Sequence, residues 1–263
     1  MKEFLEKTIR EAGELAKGYF VQGMGVEYKT DETGTQQYSD IVTTADMAVN
    51  RFLVDTISRE YPTHKITSEE LDTVMGDSEY EWIIDPIDGT WYFAHSVPVW
   101  GIIISIVQSG TPICSAVYFP VSDQLFFADE QHSYLNGKIV KISGPQKNLD
   151  TAKPKIFTMR PHGPYGVEFE RFQKAVNKYI LTREFAPKNF GAASSLVYLI
   201  TGAFDFAISN GGMVWDFVGP IHILRNAGAV VTDSRGNEWT ADQQGYVAAS
   251  DATLHAEVLS LFE

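Results

Sequence analysis

The chain has 263 residues, 44% of them hydrophobic and 13% aromatic, which suits a large buried core and excludes a disordered chain. A formal net charge of −13 repels nucleic-acid phosphates and anionic membranes, so neither is expected as a partner. The single cysteine, Cys114, excludes an internal disulfide framework and a cysteine-type zinc site; a charged start from Lys2 and the lack of a membrane-length apolar run point to a cytoplasmic protein.

Leu5, Ile9, Ala12, Ala16 and Tyr19 or Phe20 recur at three- and four-residue steps, which predicts a helix over residues 3–20. Gly23 and Gly25 end it, and the polar stretch 27–40 reads as a mobile loop or a short hairpin. Thr43 followed by Asp46 has the form of a helix-start cap, with Val49, Leu53 and Ile57 as the buried stripe of a second helix that Pro62 stops. A short strand then ends in the adjacent carboxylates Glu69 and Glu70; such a pair on a loop is ordinarily just solvated. His64 has no partner visible in the sequence and is read as structural or exposed.

Trp82-Ile83-Ile84 reads as the end of a buried strand. Asp85 and Asp88 follow, with Pro86 and Ile87 between them and Gly89-Thr90 behind. Pro86 has no N–H and a fixed φ, so the strand is expected to stop there. Gly89 lets the backbone turn and approach a ligand closely. Two acidic side chains and a set of free amides at a strand terminus suit a hard cation on one side and an anion on the other. The same residue types also make an ordinary turn.

A meander of antiparallel strands is expected next: residues 102–107, 113–118 and 125–128, then a hairpin about Asn136-Gly137. Residues 143–155, with Gly144, Pro145, Asn148 and Pro154, are the best boundary between two lobes of one domain spanning 1–263, roughly 1–148 and 149–263. The second half alternates: strand 155–158, helix 169–179, strand 183–190, a helix opened by Gly191 and closed by Gly202, then strand 204–208. Trp215-Asp216 precedes a further helix with Pro220 near its first turn and Gly228 past its end. Strands 230–232 and 246–249 and a terminal helix over 252–261 complete it. Such alternation points to a mainly parallel sheet.

Asp46, Glu69, Glu70, Asp85, Asp88 and Asp216 thus form a set of carboxylates concentrated at element termini, where separate segments converge. The set resembles that of the inositol monophosphatase family, magnesium-dependent and lithium-sensitive phosphatases. Asp85-Pro86-Ile87-Asp88-Gly89-Thr90 matches the family's first signature completely, and Trp215-Asp216-Phe217-Val218-Gly219-Pro220 resembles its second. Asp40-Ile41-Val42-Thr43 through Asp46, Glu69-Glu70, Gly191-Ala192-Ala193 and Val247-Ala248-Ala249-Ser250 fit further family segments, so the likeness covers nearly the whole chain.

The resemblance implies an α+β fold, a layered α/β/α/β/α sandwich with an antiparallel N-terminal sheet and a mainly parallel C-terminal one, and it suggests a homodimer. It implies that Glu69, Asp85 and the carbonyl of Ile87 hold a first Mg²⁺, that Asp85, Asp88 and Asp216 hold a second, and that a third sits near Glu70. Asp46 and Thr90 would be a hydrogen-bonded pair that helps polarise the attacking water. The amides of Gly89 and Thr90 would cradle the phosphate, with Gly191, Ala192 and Ser209 toward the substrate. An all-oxygen donor set independently suits Mg²⁺. The implied activity is hydrolysis of a small polyol or sugar monophosphate of the inositol 1-phosphate type. Histidinol phosphate, fructose 1,6-bisphosphate and 3′-phosphoadenosine 5′-phosphate are the alternative substrates, and a regulatory interaction protein on the same fold is the alternative class. The departures bear on the leaving group: Tyr92 stands where Asn is common, Ser68 precedes the Glu pair in place of Gly, and Ser209 replaces a substrate-contacting Glu. Asn226-Ala227-Gly228-Ala229 stands for Glu-Ala-Gly-Gly.

Overall fold

A computed structural model describes residues 1–22, 26–30, 36–142, 155–160, 167–182, 185–188, 193–243 and 245–263. Its first half runs α1 (Lys2–Gln22), β1 (Val26–Thr30), β2 (Gln36–Thr43), α2 (Thr44–Glu60), β3 (Lys65–Ser68), β4 (Tyr80–Asp88), α3 (Thr90–Ala94), β5 (Gly101–Gln108), β6 (Thr111–Phe119), β7 (Gln124–Ala128), β8 (Ser133–Leu135) and β9 (Lys138–Val140). The second half runs β10 (Lys155–Arg160), α4 (Val167–Thr182), β11 (Phe185–Pro187), a 3-10 helix (Ala193–Leu199), β12 (Phe206–Ser209), α5 (Val214–Ala227), β13 (Val230–Thr232), β14 (Tyr246–Ala249) and α6 (Ala252–Ser260). The polar stretch after α1 is the hairpin β1–β2. The lobe boundary expected within 143–155 lies, but for its last residue, outside the described residues.

Strand periodicity decides the layering. Strands β3 to β9 lie side by side in sequence order in one sheet, parallel only at β3–β4 and antiparallel elsewhere. Successive side chains on a strand point to opposite faces. Trp82, Ile84, Ile102, Ile104, Ile106, Ala116 and Phe127 therefore pack with Leu5, Ile9, Val49, Leu53 and Ile57 of α1 and α2. Ile83, Ile103, Val117 and Phe126 face the other way, onto Phe217, Val218 and Ile221 of α5 and onto Leu196 and Val197 of the 3-10 helix. Both faces are covered, which is why these strands read as unbroken apolar runs.

The second sheet has the order β11-β10-β12-β14-β13. Strands β10, β11 and β12 are parallel, and β14 is antiparallel to both β12 and β13, so only β14 runs against the rest. Ala207, Tyr246 and Ala248 face α5, whereas Phe206, Ile208, Val247 and Ala249 face Phe172, Ala175, Leu254 and Val258 of α4 and α6. The layers are α1/α2, the first sheet, α5 with the 3-10 helix, the second sheet, and α4/α6. One apolar cluster is built from both halves of the chain.

Three local readings are corrected. The helix expected between Gly191 and Gly202 is, where described, the 3-10 helix Ala193–Leu199. Trp215 and Asp216 lie inside the first turn of α5, and Pro220 falls in its second turn. Strand β4 does not stop at Pro86 but continues to Asp88. Other details match: Asn136 and Gly137 both have positive φ, 48° and 76°, as a two-residue hairpin turn demands. His64 is structural, stacked on Tyr61 and Tyr80 and accepting the indole N–H of Trp82 at 3.0 Å. Cys114 is buried in the first sheet's outer core. Among the described residues no helix is long and apolar enough to cross a membrane.

Candidate active site

Asp85 and Asp88 are both buried. Three positions apart on a regular strand, they would point to opposite faces. The ladder to β5 prevents this: Asp85 pairs with Ile103 but Asp88 with Gly101, so β4 takes three steps for two on its partner. That is a one-residue β-bulge, and it restores both carboxylates to the face that looks onto α5. Pro86 sits in the bulge, where its missing N–H costs no ladder bond, and this explains why the strand survives it.

Asp216 is the third residue of α5, an end where the helix dipole favours an anion. Its carboxylate accepts the Met213 amide at 2.7 Å, and its own amide donates to the Met213 carbonyl at 3.1 Å. Oxygens of Asp85, Asp88 and Asp216 all lie within 4.8 Å of one another, and all three residues are buried. Three buried carboxylates this close repel one another, and a cation among them relieves that repulsion. Their hard oxygen donors, with no sulfur or imidazole in the cluster, fit a divalent ion such as Mg²⁺.

Asp46 is the third residue of α2 and completes a reciprocal cap. Its Oδ2 accepts from the Thr43 amide at 2.8 Å and from Thr43 Oγ1 at 2.5 Å. Its Oδ1 accepts from Thr90 Oγ1 at 3.2 Å, which joins α2 to the first residue of α3. The same hydroxyl lies 3.0 Å from the Ile87 carbonyl, so its one proton is shared between two acceptors. Burial pushes the Asp46 carboxyl up to about 6, and the charge of Glu70 adds to that; the hydrogen bonds from Thr43 and Thr90 pull the other way.

Glu69 and Glu70 follow β3 and are partly buried. The Glu69 amide donates to the Ile84 carbonyl at 3.2 Å, which sets it beside Asp85 along β4. Neither belongs to the tight three-carboxylate group. Gly89 caps α3 in the left-handed region at φ 89°, a conformation glycine takes without strain. Tyr92 lies close enough to Asp88 for that charge, after burial, to raise its phenol.

Gly191 and Ala192 lie outside the described residues. Ser209 is buried at the end of β12, and its hydroxyl donates to the Gly211 carbonyl at 2.7 Å while accepting the Gly211 amide at 3.3 Å. The hydroxyl is thus engaged by its own loop. Sequence reasoning missed the partners of Asp88: Oδ1 accepts the Ala193 amide at 2.9 Å and Oδ2 the Ser194 amide at 2.5 Å. Backbone donors more than a hundred residues away leave no side-chain signal in the sequence.

The model of the Inositol monophosphatase family matches residues 1–263. A Thermotoga maritima protein named fructose-1,6-bisphosphatase/inositol-1-monophosphatase is 28% identical over 260 residues, covering 98% of this chain and 94% of that one. Inositol monophosphatase 1 of Solanum lycopersicum is 26% identical over 271 residues, with 99% and 95% covered. Among solved structures, a Thermotoga maritima IMPase superposes with a TM-score of 0.80 at 25% identity, over 99% of this chain and 95% of that one. The match is end to end in sequence and in architecture, and the chain belongs to the inositol monophosphatase family of phosphomonoester hydrolases.

Proposed function

We propose that this enzyme hydrolyses a small polyol or sugar monophosphate, of the inositol 1-phosphate type, using Mg²⁺ and a water nucleophile in an in-line displacement. The observation that carries this reading is the buried group of Asp85, Asp88 and Asp216, whose oxygens lie within 4.8 Å of one another. These three, with Glu69 and the Ile87 carbonyl, are the groups that would hold two ions, and Glu70 a third. Bound there, divalent ions supply the charge that lowers the pKa of a water and neutralises the departing alkoxide.

The chain's own part is positioning, as is usual in phosphoryl transfer. Asp46 and the Ile87 carbonyl share the Thr90 proton, which leaves the lone pairs of Thr90 Oγ1 to accept from the attacking water and fix its direction. The amides of Gly89 and Thr90 are assigned to the phosphate oxygens. The engaged hydroxyl of Ser209, in place of a longer acid, favours weak discrimination among alcohols. The expected kcat/KM for inositol 1-phosphate is therefore no more than about tenfold above that for glycerol 2-phosphate. Lithium sensitivity and a homodimer belong to the same proposal.

The test is phosphate release from a panel of monoesters, with fructose 1,6-bisphosphate, histidinol phosphate and 3′-phosphoadenosine 5′-phosphate included. Activity is expected to vanish in chelator and return with Mg²⁺. Full turnover in excess chelator, or a preference for inositol 1-phosphate above about a hundredfold (about 2.7 kcal/mol), would contradict this reading.

A further inference from the structure

Ser194 is fully buried, and its Oγ has no hydrogen-bond partner among the described residues. A buried hydroxyl left unsatisfied is unfavourable, so something else holds Ser194 where it is. Its amide is one of the two that grip Asp88. Its side chain lies over Gly101: a Cβ built on that glycine would sit 3.1 Å from Ser194 Cβ, 3.1 Å from Ser194 Oγ and 3.1 Å from the Tyr118 carbonyl oxygen. Gly101 is also the residue directly across the β4–β5 ladder from Asp88. Directly opposed residues on an antiparallel pair share a face and have neighbouring Cβ positions. Ser194 therefore occupies the space that a side chain at 101 would fill beside Asp88. Gly101 has no positive φ, so its conformation does not require a glycine. The constraint is the close approach: a Cβ at 101 would press its neighbours by a few tenths of an ångström.

We propose that Gly101 is a positioning residue for the metal cluster: its missing side chain lets the 3-10 helix dock so that the amides of Ala193 and Ser194 hold the Asp88 carboxylate in place. A carboxylate with two fixed amide donors is preorganised toward Asp85 and Asp216 before any ion arrives. The same contact ties the first sheet to the first turn of a helix from the other half of the chain. The proposal rests on the reading that the cluster binds a divalent metal.

The experiment compares wild type, Gly101→Ala and the double variant Gly101→Ala/Ser194→Gly. Two readouts are used: amide hydrogen exchange at Ala193 and Ser194 in chelator-stripped protein, and Mg²⁺ affinity by calorimetry. Gly101→Ala is expected to speed exchange at both amides by about tenfold or more and to weaken Mg²⁺ binding by about tenfold, since small misplacements of a site group are costly. The double variant, which removes two of the three close contacts, is expected to recover both to within about threefold. Unchanged exchange and affinity in Gly101→Ala overturn the proposal, as does a double variant that recovers neither. If Gly101→Ala fails to fold, the double variant decides: folding with near wild-type protection supports the contact, and failure to fold overturns it. Wild type that binds no Mg²⁺ at all sinks the metal reading instead, and the exchange data then judge the Gly101 contact alone.

Discussion

His222, in α5, has both ring nitrogens engaged. Asn226 Nδ2 lies 2.5 Å from the Asp129 carbonyl oxygen and 3.1 Å from His222 Nε2, so the amide donates to both. That makes Nε2 an acceptor and leaves the ring proton on Nδ1, which donates to Ser115 Oγ at 3.0 Å. Burial lowers the imidazole to about 4; Asp129 raises it a little and Arg225 lowers it further. A histidine protonated more readily unfolded than folded stabilises the fold fully above its unfolded value near 6.5, and that stability is lost as pH falls toward 4. The size is about 3 kcal/mol at 1.36 kcal/mol for each pH unit. Asp46, with its carboxyl raised to about 6, contributes the opposite slope. The difference between wild type and His222→Gln in urea unfolding at pH 4 to 7 isolates the histidine: the gap should widen with rising pH. A constant gap would show that the imidazole is not held neutral.

Asp46 shows what one residue's sequence context can hide. As a helix cap it was fully accounted for by Thr43, and that cap is present. The carboxylate has two oxygens, and the second, which accepts from Thr90 Oγ1, was signalled only by the family likeness and not by the local sequence.

At the scale of elements, α5 is where sequence and packing meet most tightly. A Cβ on Gly219 would sit 2.8 Å from Ile103 Cγ2 and 2.8 Å from Ser105 Oγ, so the helix rests on β5 through a missing side chain. Ala is a better helix former than Gly by about 1 kcal/mol, yet overpacking a filled site costs about 1–3 kcal/mol. Gly219→Ala is thus expected to lower stability by up to about 2 kcal/mol, read from the urea midpoint; a stabilised variant would show that the helix has room to move. The apolar runs and the Asn136-Gly137 turn made the first sheet legible, because burial on both faces and positive φ both leave residue-type signatures. The bulge at Pro86 was not legible, since proline marks the loss of a donor without saying whether the strand resumes. Nor was the 3-10 geometry of 193–199, because small and apolar residues fit either helix.

At the scale of the molecule, the site draws on α2, β4 and the first turn of α5, three different layers. The order of layers was readable only from the family likeness; alternation pointed no further than a mainly parallel second sheet. The convergence of Asp85, Asp88 and Asp216 was readable only through that likeness, as their spacing alone equally suits solvated turns. What the structure adds is a physical cost: three buried like charges that a cation relieves. Fold stability and metal binding are therefore coupled, and the coupling is measurable without substrate. The decisive measurement is the melting temperature of wild type and Asp85→Asn, each in chelator and in saturating Mg²⁺, with phosphate release recorded alongside. Mg²⁺ should raise the wild-type value, by about 2.7 kcal/mol of stability at a hundred times the dissociation constant. Asp85→Asn should melt higher than wild type in chelator, gain little from Mg²⁺ and lose activity by orders of magnitude. A wild-type melting temperature indifferent to Mg²⁺, together with an Asp85→Asn enzyme that keeps a substantial share of its rate, would contradict the account.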